Sequence, residues 1–140
     1  MIIPDVNVLV AAHRDDNPHH GPVTTWLHAI PVDEVLAVPA AAMAGFLRVV
    51  THPRIYPHPT PVAIALAFVD RLRLHPAYRP CEPVPEHWQI LGRLVLEHGL
   101  TGNDVPDAHL AALSLANGAA LATFDRGFAR FDGLDLIAPG

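Results

Sequence analysis

Short apolar runs recur along this chain without polar alternation, each followed by a longer stretch with helical spacing. Met1–Pro4, Val35–Val38 and Ala119–Ala122 are the clearest of these runs. A strand with one wet face alternates polar and apolar residues, whereas a strand covered on both faces is apolar throughout. Strands of the second kind belong in parallel sheets, whose crossover helices lie over both faces. Arg79–Cys81 and Leu134–Ile137 read as two further short strands. The intervals predict helices over Val6–His13, Val23–Ile30, Ala40–Thr51, Val62–Leu74, Glu86–His98 and Pro106–Asn117, with a helical turn at Gly127–Phe131. Val23, Trp26, Leu27 and Ile30 form an apolar stripe at 3–4 spacing. Prolines at positions 53, 57, 59 and 61 impose a loop, and Leu100–Val105 reads as another. Gly99 and Gly118 stand where helices end on a left-handed residue. The pattern predicts one α/β domain over residues 1–140, an α/β/α sandwich around a mostly parallel sheet of four to five strands.

Composition removes several function classes. Apolar residues make up 51% of the 140 and charged residues 16%, which excludes disorder and supplies a core. All nine basic residues are arginine. Mechanisms with an obligatory lysine are therefore closed, among them P-loop nucleotide hydrolysis, protein kinase chemistry and Schiff-base catalysis. Aspartate-based phosphatases and phosphotransferases normally keep a lysine or a second acid near the first aspartate, and this chain has Asn7 there. A net charge of −5 argues against binding nucleic acid through bulk basicity, so any such contact needs local arginines or a metal ion.

The single cysteine, Cys81, forms no internal disulfide, in keeping with a reducing cytoplasm. No stretch approaches the roughly 20 apolar residues of a membrane-spanning helix, and Asp5 interrupts the opening run before it reads as a secretory leader. Ser114, the only serine, lies inside a predicted helix and not in a nucleophile elbow. Ten histidines include the pair His19-His20, but no cysteine pair or H-E-x-x-H helix supports zinc. His109, two residues after Asp107, is expected to point away from it.

The carboxylates carry more information. Asp5 closes the first predicted strand, Asp125 follows the fourth, and Asp107 opens the helix that feeds the fourth. Ligands of open parallel sheets bind at the carboxyl ends of strands, beside a topological switch point. If strands one and four are neighbours, the three aspartates converge there. Clustered carboxylates raise one another's pKa, and a hard divalent cation relieves that cost. Each aspartate also has a structural reading: Asp5 as a helix N-cap, Asp104 with Asp107 as a capping pair around Pro106, and Asp125 as a turn residue. Spacing alone leaves both readings open.

Four segments stand out in order along the chain: Ile3-Pro4-Asp5-Val6-Asn7-Val8-Leu9, Phe46-Leu47-Arg48-Val49-Val50-Thr51, Asp107-Ala108-His109-Leu110-Ala111-Ala112-Leu113 and Thr123-Phe124-Asp125-Arg126. Together they resemble PIN-domain proteins, and in particular VapC-type toxins of bacterial toxin–antitoxin pairs. The resemblance implies an Mg²⁺- or Mn²⁺-dependent endoribonuclease leaving 5′-phosphate and 3′-hydroxyl ends. It puts Asp5, Asp107 and Asp125 at the metal-binding, catalytic positions, with Asn7 and Thr123 in support. Asp104 takes an open role, either accessory ligand or helix cap. Arg48 and Arg54, followed by Arg14 and Arg126, are expected to position RNA phosphates, against the alternative of plain surface arginines. A homodimer and a VapB-like antitoxin covering the active-site groove are also implied. The chain departs from the pattern where many relatives carry a glutamate; alignment on Gly45-Phe46-Leu47-Arg48 puts Met43 there. That substitution sustains a second reading, a weakened or inactive PIN-like module that binds RNA or antitoxin.

Overall fold

The structure is a computed structural model that describes residues 1–140. Strand β1 (Ile2–Pro4) lies in the middle of a sheet with β2 (Leu36–Pro39) on one side and β4 (Ala120–Ala122) on the other. The edges are β3 (Tyr78–Cys81) beside β2 and β5 (Leu136–Ile137) beside β4, and every pairing is parallel. The chain runs outward through β1, β2 and β3, then crosses back to β4. The reversal of direction falls between β1 and β4, so a crevice opens at the carboxyl ends of these two strands. The register Ile2↔Ala120, Ile3↔Leu121, Pro4↔Ala122 brings the ends level.

Helices α1 (Val6–His13), α2 (His20–Ala29), α3 (Ala40–Val50), α4 (Val62–Leu72), α5 (His87–His98) and α6 (Val105–Asn117) cover both faces. Leu36 and Val38 pack with Leu9, Phe46 and Val50 in one core. Ala37, between them in sequence, joins Ile3, Leu121, Leu113 and Phe128 in the other. All four β2 residues are buried. A strand buried on both faces has no position for a polar residue, which is why the run 35–38 reads as it does.

Two local expectations are corrected. α2 starts at His20, three residues earlier than predicted; Pro22 is tolerated there because first-turn N–H groups have no intrahelical acceptor. Residues Gly102–Asp104 form a 3₁₀ turn and not an open loop, with Gly102 at φ 55° and the Asp104 N–H donating to the Thr101 carbonyl. That turn feeds directly into α6 and fixes where its first carboxylate falls.

Candidate active site

The crevice between β1 and β4 is built from side chains that share their hydrogen bonds across the two strand ends. The Asp5 N–H still donates to the Ala122 carbonyl, so the first aspartate leaves the sheet in a fixed position. Its Oδ1 accepts the Val6 N–H at 2.6 Å and caps α1, while its Oδ2 accepts the Thr123 hydroxyl at 2.7 Å. Thr123 is buried, and its Oγ1 also accepts from Asn7 Nδ2 (3.2 Å) and from the Asp125 N–H (3.0 Å). Asn7 Oδ1 in turn accepts the Phe124 N–H at 3.3 Å. Asp125 Oδ1 accepts the Gly127 N–H at 2.7 Å. A Cβ at position 127 would stand 2.9 Å from that oxygen, so glycine allows the close approach. The capping and chemical readings of Asp5 and Asp125 are thus compatible: each has an oxygen that its cap leaves unused.

Asp107 enters from the first turn of α6, where a carboxylate is favoured by the unpaired N–H groups. Its Oδ2 lies 3.4 Å from Arg130 Nη2, a partner that sequence spacing did not single out. Burial pushes the Asp107 carboxyl above its ordinary pKa, and the charges of Asp125 and Asp5 push it further, against the pull of Arg130. Asp104 adds to the same repulsion. Although it occupies the N-cap position of α6, Asp104 makes no side-chain capping bond and is exposed. Asp5 is also raised, first by burial and then by Asp125, with the Thr123 and Val6 bonds opposing. Carboxylates from three elements therefore feel one another's charge.

A cleft of about 700 Å³ opens beside Asp5 and Asp107 between α3 and α6, and Arg48 and His109 line its walls. His109 lines this cleft as well, although i, i+2 spacing sets it apart from Asp107 on the helix. Asp107 and His109 flank a broad face of α6 centred on Pro106 and Leu110, which also line the cleft. The His109 ring stands perpendicular to that of His87, 4.8 Å away, and burial together with His87 holds its pKa below the usual imidazole value.

The α3 wall is made of small residues, Ala41, Ala44 and Gly45. Met43 is not on it. About 200° round the helix from Ala41, it packs against the core that holds Phe46 and Val50. The expected glutamate position at Met43 is corrected accordingly: its side chain faces the core, and the cleft face of α3 carries no acid.

The other arginines divide. Arg54 lies exposed in the loop after α3, its N–H donating to His52 Nδ1, and is not part of the cleft. Arg14 is bound to Asp16 and to the His58 carbonyl and lies 3.8 Å over the Tyr56 ring, in a separate cavity. Arg126 follows Asp125, exposed and without an ion pair.

The donor set at the acidic edge suits a hard divalent cation. It offers only carboxylate, amide and hydroxyl oxygens, and its two shifted acids are raised partly by neighbouring negative charge. No three carboxylate or imidazole side chains stand preassembled around one point. An ion would have to draw the carboxylates together by side-chain rotation.

Comparison with known proteins gives a consistent picture. The PIN domain family matches residues 2–134. Ribonuclease VapC31 of Mycobacterium tuberculosis is 39% identical over 140 residues, covering 99% of each chain. Ribonuclease VapC43 of the same species is 42% identical over 132 residues, covering 94% of this chain and 90% of the relative. Among solved structures, the Mycobacterium tuberculosis toxin VapC20, described as cleaving the sarcin-ricin loop, superposes with a TM-score of 0.74 at 17% identity, covering 99% of this chain and 100% of that one. VapBC2 from Rickettsia felis, bound to a promoter DNA fragment, gives 0.74 at 20% identity, covering 98% of each. At those identities the structural likeness establishes the fold alone.

Proposed function

The chain belongs to the PIN-domain family, and from that premise we propose that it is the ribonuclease toxin of a VapC-type toxin–antitoxin pair. The observation that carries the reading is the meeting of Asp5, Asp107 and Asp125 at one sheet edge, where burial and like charge raise the first two. These residues would hold the divalent cation, Mg²⁺ or Mn²⁺. When bound, the cation supplies positive charge to the scissile phosphate and lowers the pKa of a water that attacks phosphorus.

The chain's own groups do the positioning. Thr123 and Asn7 hold Asp5 to Asp125 across the two strands, so that the carboxylates keep their places. Arg48, on the cleft wall, offers the planar fork that matches a phosphate, and Arg126 stands beside Asp125 to meet the strand where it leaves. Asp104 contributes negative charge next to Asp107 and is the accessory acid of the site. Arg54 and Arg14 are not assigned to the substrate.

The alternative of an inactive binding module is not favoured: curated relatives at 39% and 42% identity are named ribonucleases. The missing acid on α3 leaves the three aspartates as the ligand set.

A VapB-like antitoxin is the proposed partner, and several structural neighbours are toxin–antitoxin complexes. A homodimer is proposed on the exposed apolar residues of α4, among them Val62, Ile64 and Leu66. No helix is long and apolar enough to cross a membrane, and a cytoplasmic location follows from the proposed RNA substrate.

The test is cleavage of total RNA by the purified protein. We expect cutting with Mn²⁺ or Mg²⁺, none with EDTA, and none from Asp107→Ala. Cleavage that survives EDTA or the substitution would overturn the assignment.

A further inference from the structure

His19 and Phe124 form a parallel stack beside the acidic edge, with ring centroids 4.1 Å apart and planes inclined by 15°. Phe124 lies between Thr123 and Asp125, its N–H donates to Asn7 Oδ1, and its ring packs against the small core of Val8, Val23 and Ala122. The lower ring of the stack is therefore fixed to the same network that holds the carboxylates. The upper ring is exposed. The His19 N–H donates to Asn17 Oδ1 at 2.9 Å, which sets the backbone that presents it, yet the side chain makes no capping bond to α2 and no other hydrogen bond. The imidazole is held flat at the surface by its stack, with both nitrogens free of hydrogen-bond partners.

We propose that the His19–Phe124 stack is a platform for one unpaired RNA base adjacent to the scissile phosphate. Single-stranded RNA is recognised by laying splayed bases on aromatic and histidine rings, together with cations that track the backbone. This chain carries a net charge of −5 and has one arginine, Arg48, on its cleft wall. The cleft with Arg48 and His109 lies on the α3–α6 side of Asp5, and the stack lies on the α2–β4 side. A strand crossing the carboxylates meets phosphate-binding groups on one side and the stacking surface on the other. The platform makes His19 a substrate-positioning residue that holds one base at that place. The inference rests on the ribonuclease reading.

The experiment starts from the RNA site that the wild-type protein cuts, mapped on total RNA and transferred to a short single-stranded oligonucleotide. Each nucleotide flanking the cut is then replaced in turn by an abasic residue. With wild type, one position should raise KM by roughly 5- to 100-fold with little change in kcat. His19→Ala should show that higher KM on the intact oligonucleotide and no further loss at the same abasic position, while His19→Trp restores wild-type behaviour. Equal sensitivity of wild type and His19→Ala to every abasic position would overturn the platform, as would a His19→Ala protein with unchanged KM. A wild-type protein that cuts no RNA would sink the ribonuclease reading and the platform with it. If His19→Ala cuts normally, only the platform fails.

Discussion

Two clusters of ionisable side chains lie at opposite ends of α1, and they obey opposite rules. At its C-terminal end, Arg14 pairs with Asp16 and lies over Tyr56, His13 Nε2 is 3.1 Å from Thr60 Oγ1, and His20 Nδ1 donates to the Ala11 carbonyl. Each of these groups has an opposite charge, an aromatic face or a hydrogen-bond partner. At the N-terminal end, Asp5, Asp107 and Asp125 repel one another, and the one opposing charge is Arg130, 3.4 Å from Asp107. The first cluster fastens a proline-rich loop to a helix. The second keeps like charges together at a cost to the metal-free fold, an arrangement suited to a site that expects a cation. The lesson is that density of charged residues does not mark function here; failure to neutralise them does.

Substitutions at the two ends of α1 should separate these roles. Asp5→Ala should lower RNA cleavage by about 10²- to 10³-fold, since groups that support transition-state charge are each worth about that much in rate; single-turnover kinetics under saturating Mn²⁺ would measure it. Thr123→Val removes the hydroxyl that donates to Asp5 and accepts from Asn7 and the Asp125 N–H. We expect cleavage to drop about 10- to 100-fold, the range seen for groups that orient metal ligands. Arg14→Ala should leave kcat and KM for RNA within about twofold and lower the melting temperature, since it removes the pair with Asp16, the bond to the His58 carbonyl and the contact over Tyr56. Loss of RNA binding in that variant would return Arg14 to the substrate and break the contrast.

The smallest effect concerns the cost of the acidic edge itself. Because the Asp107 pKa is raised on folding, its contribution to stability is greatest below the ordinary carboxylate value of about 3.9 and is lost as pH rises through the folded value. In EDTA at pH 7, Asp107→Asn should therefore melt no lower than wild type and up to a few degrees higher. The gap should narrow as pH falls below the ordinary carboxylate value, where Asp107 is increasingly protonated. A variant that melts well below wild type at pH 7 would mean that Arg130 and the helix dipole outweigh the repulsion.

Much of the fold was legible because burial on both faces of a strand leaves a local mark. Val35–Val38 and Ala119–Ala122 show it directly. The meeting of Asp5 with Asp125 was not legible from spacing, because strand order is set by packing between distant segments; the likeness of the motifs supplied it. Two helical positions illustrate the same limit. Met43 was placed by alignment at the site, but the α3 face that meets the cleft carries Ala41 and Gly45, and position 43 turns to the core. The i, i+2 spacing sets His109 apart from Asp107 on α6, and gives no sign that one cleft is wide enough to be lined by both. Arg130 had no signal, since its partner is 23 residues away in sequence.

Manganese binding is the most direct check on the acidic edge. A crystal of the toxin soaked in Mn²⁺ should show an anomalous peak contacted by oxygens of Asp5, Asp107 and Asp125, with the Arg130 side chain moved off Asp107. A peak located elsewhere, or none at a concentration that supports cleavage, would contradict the assignment of these three residues to the cation.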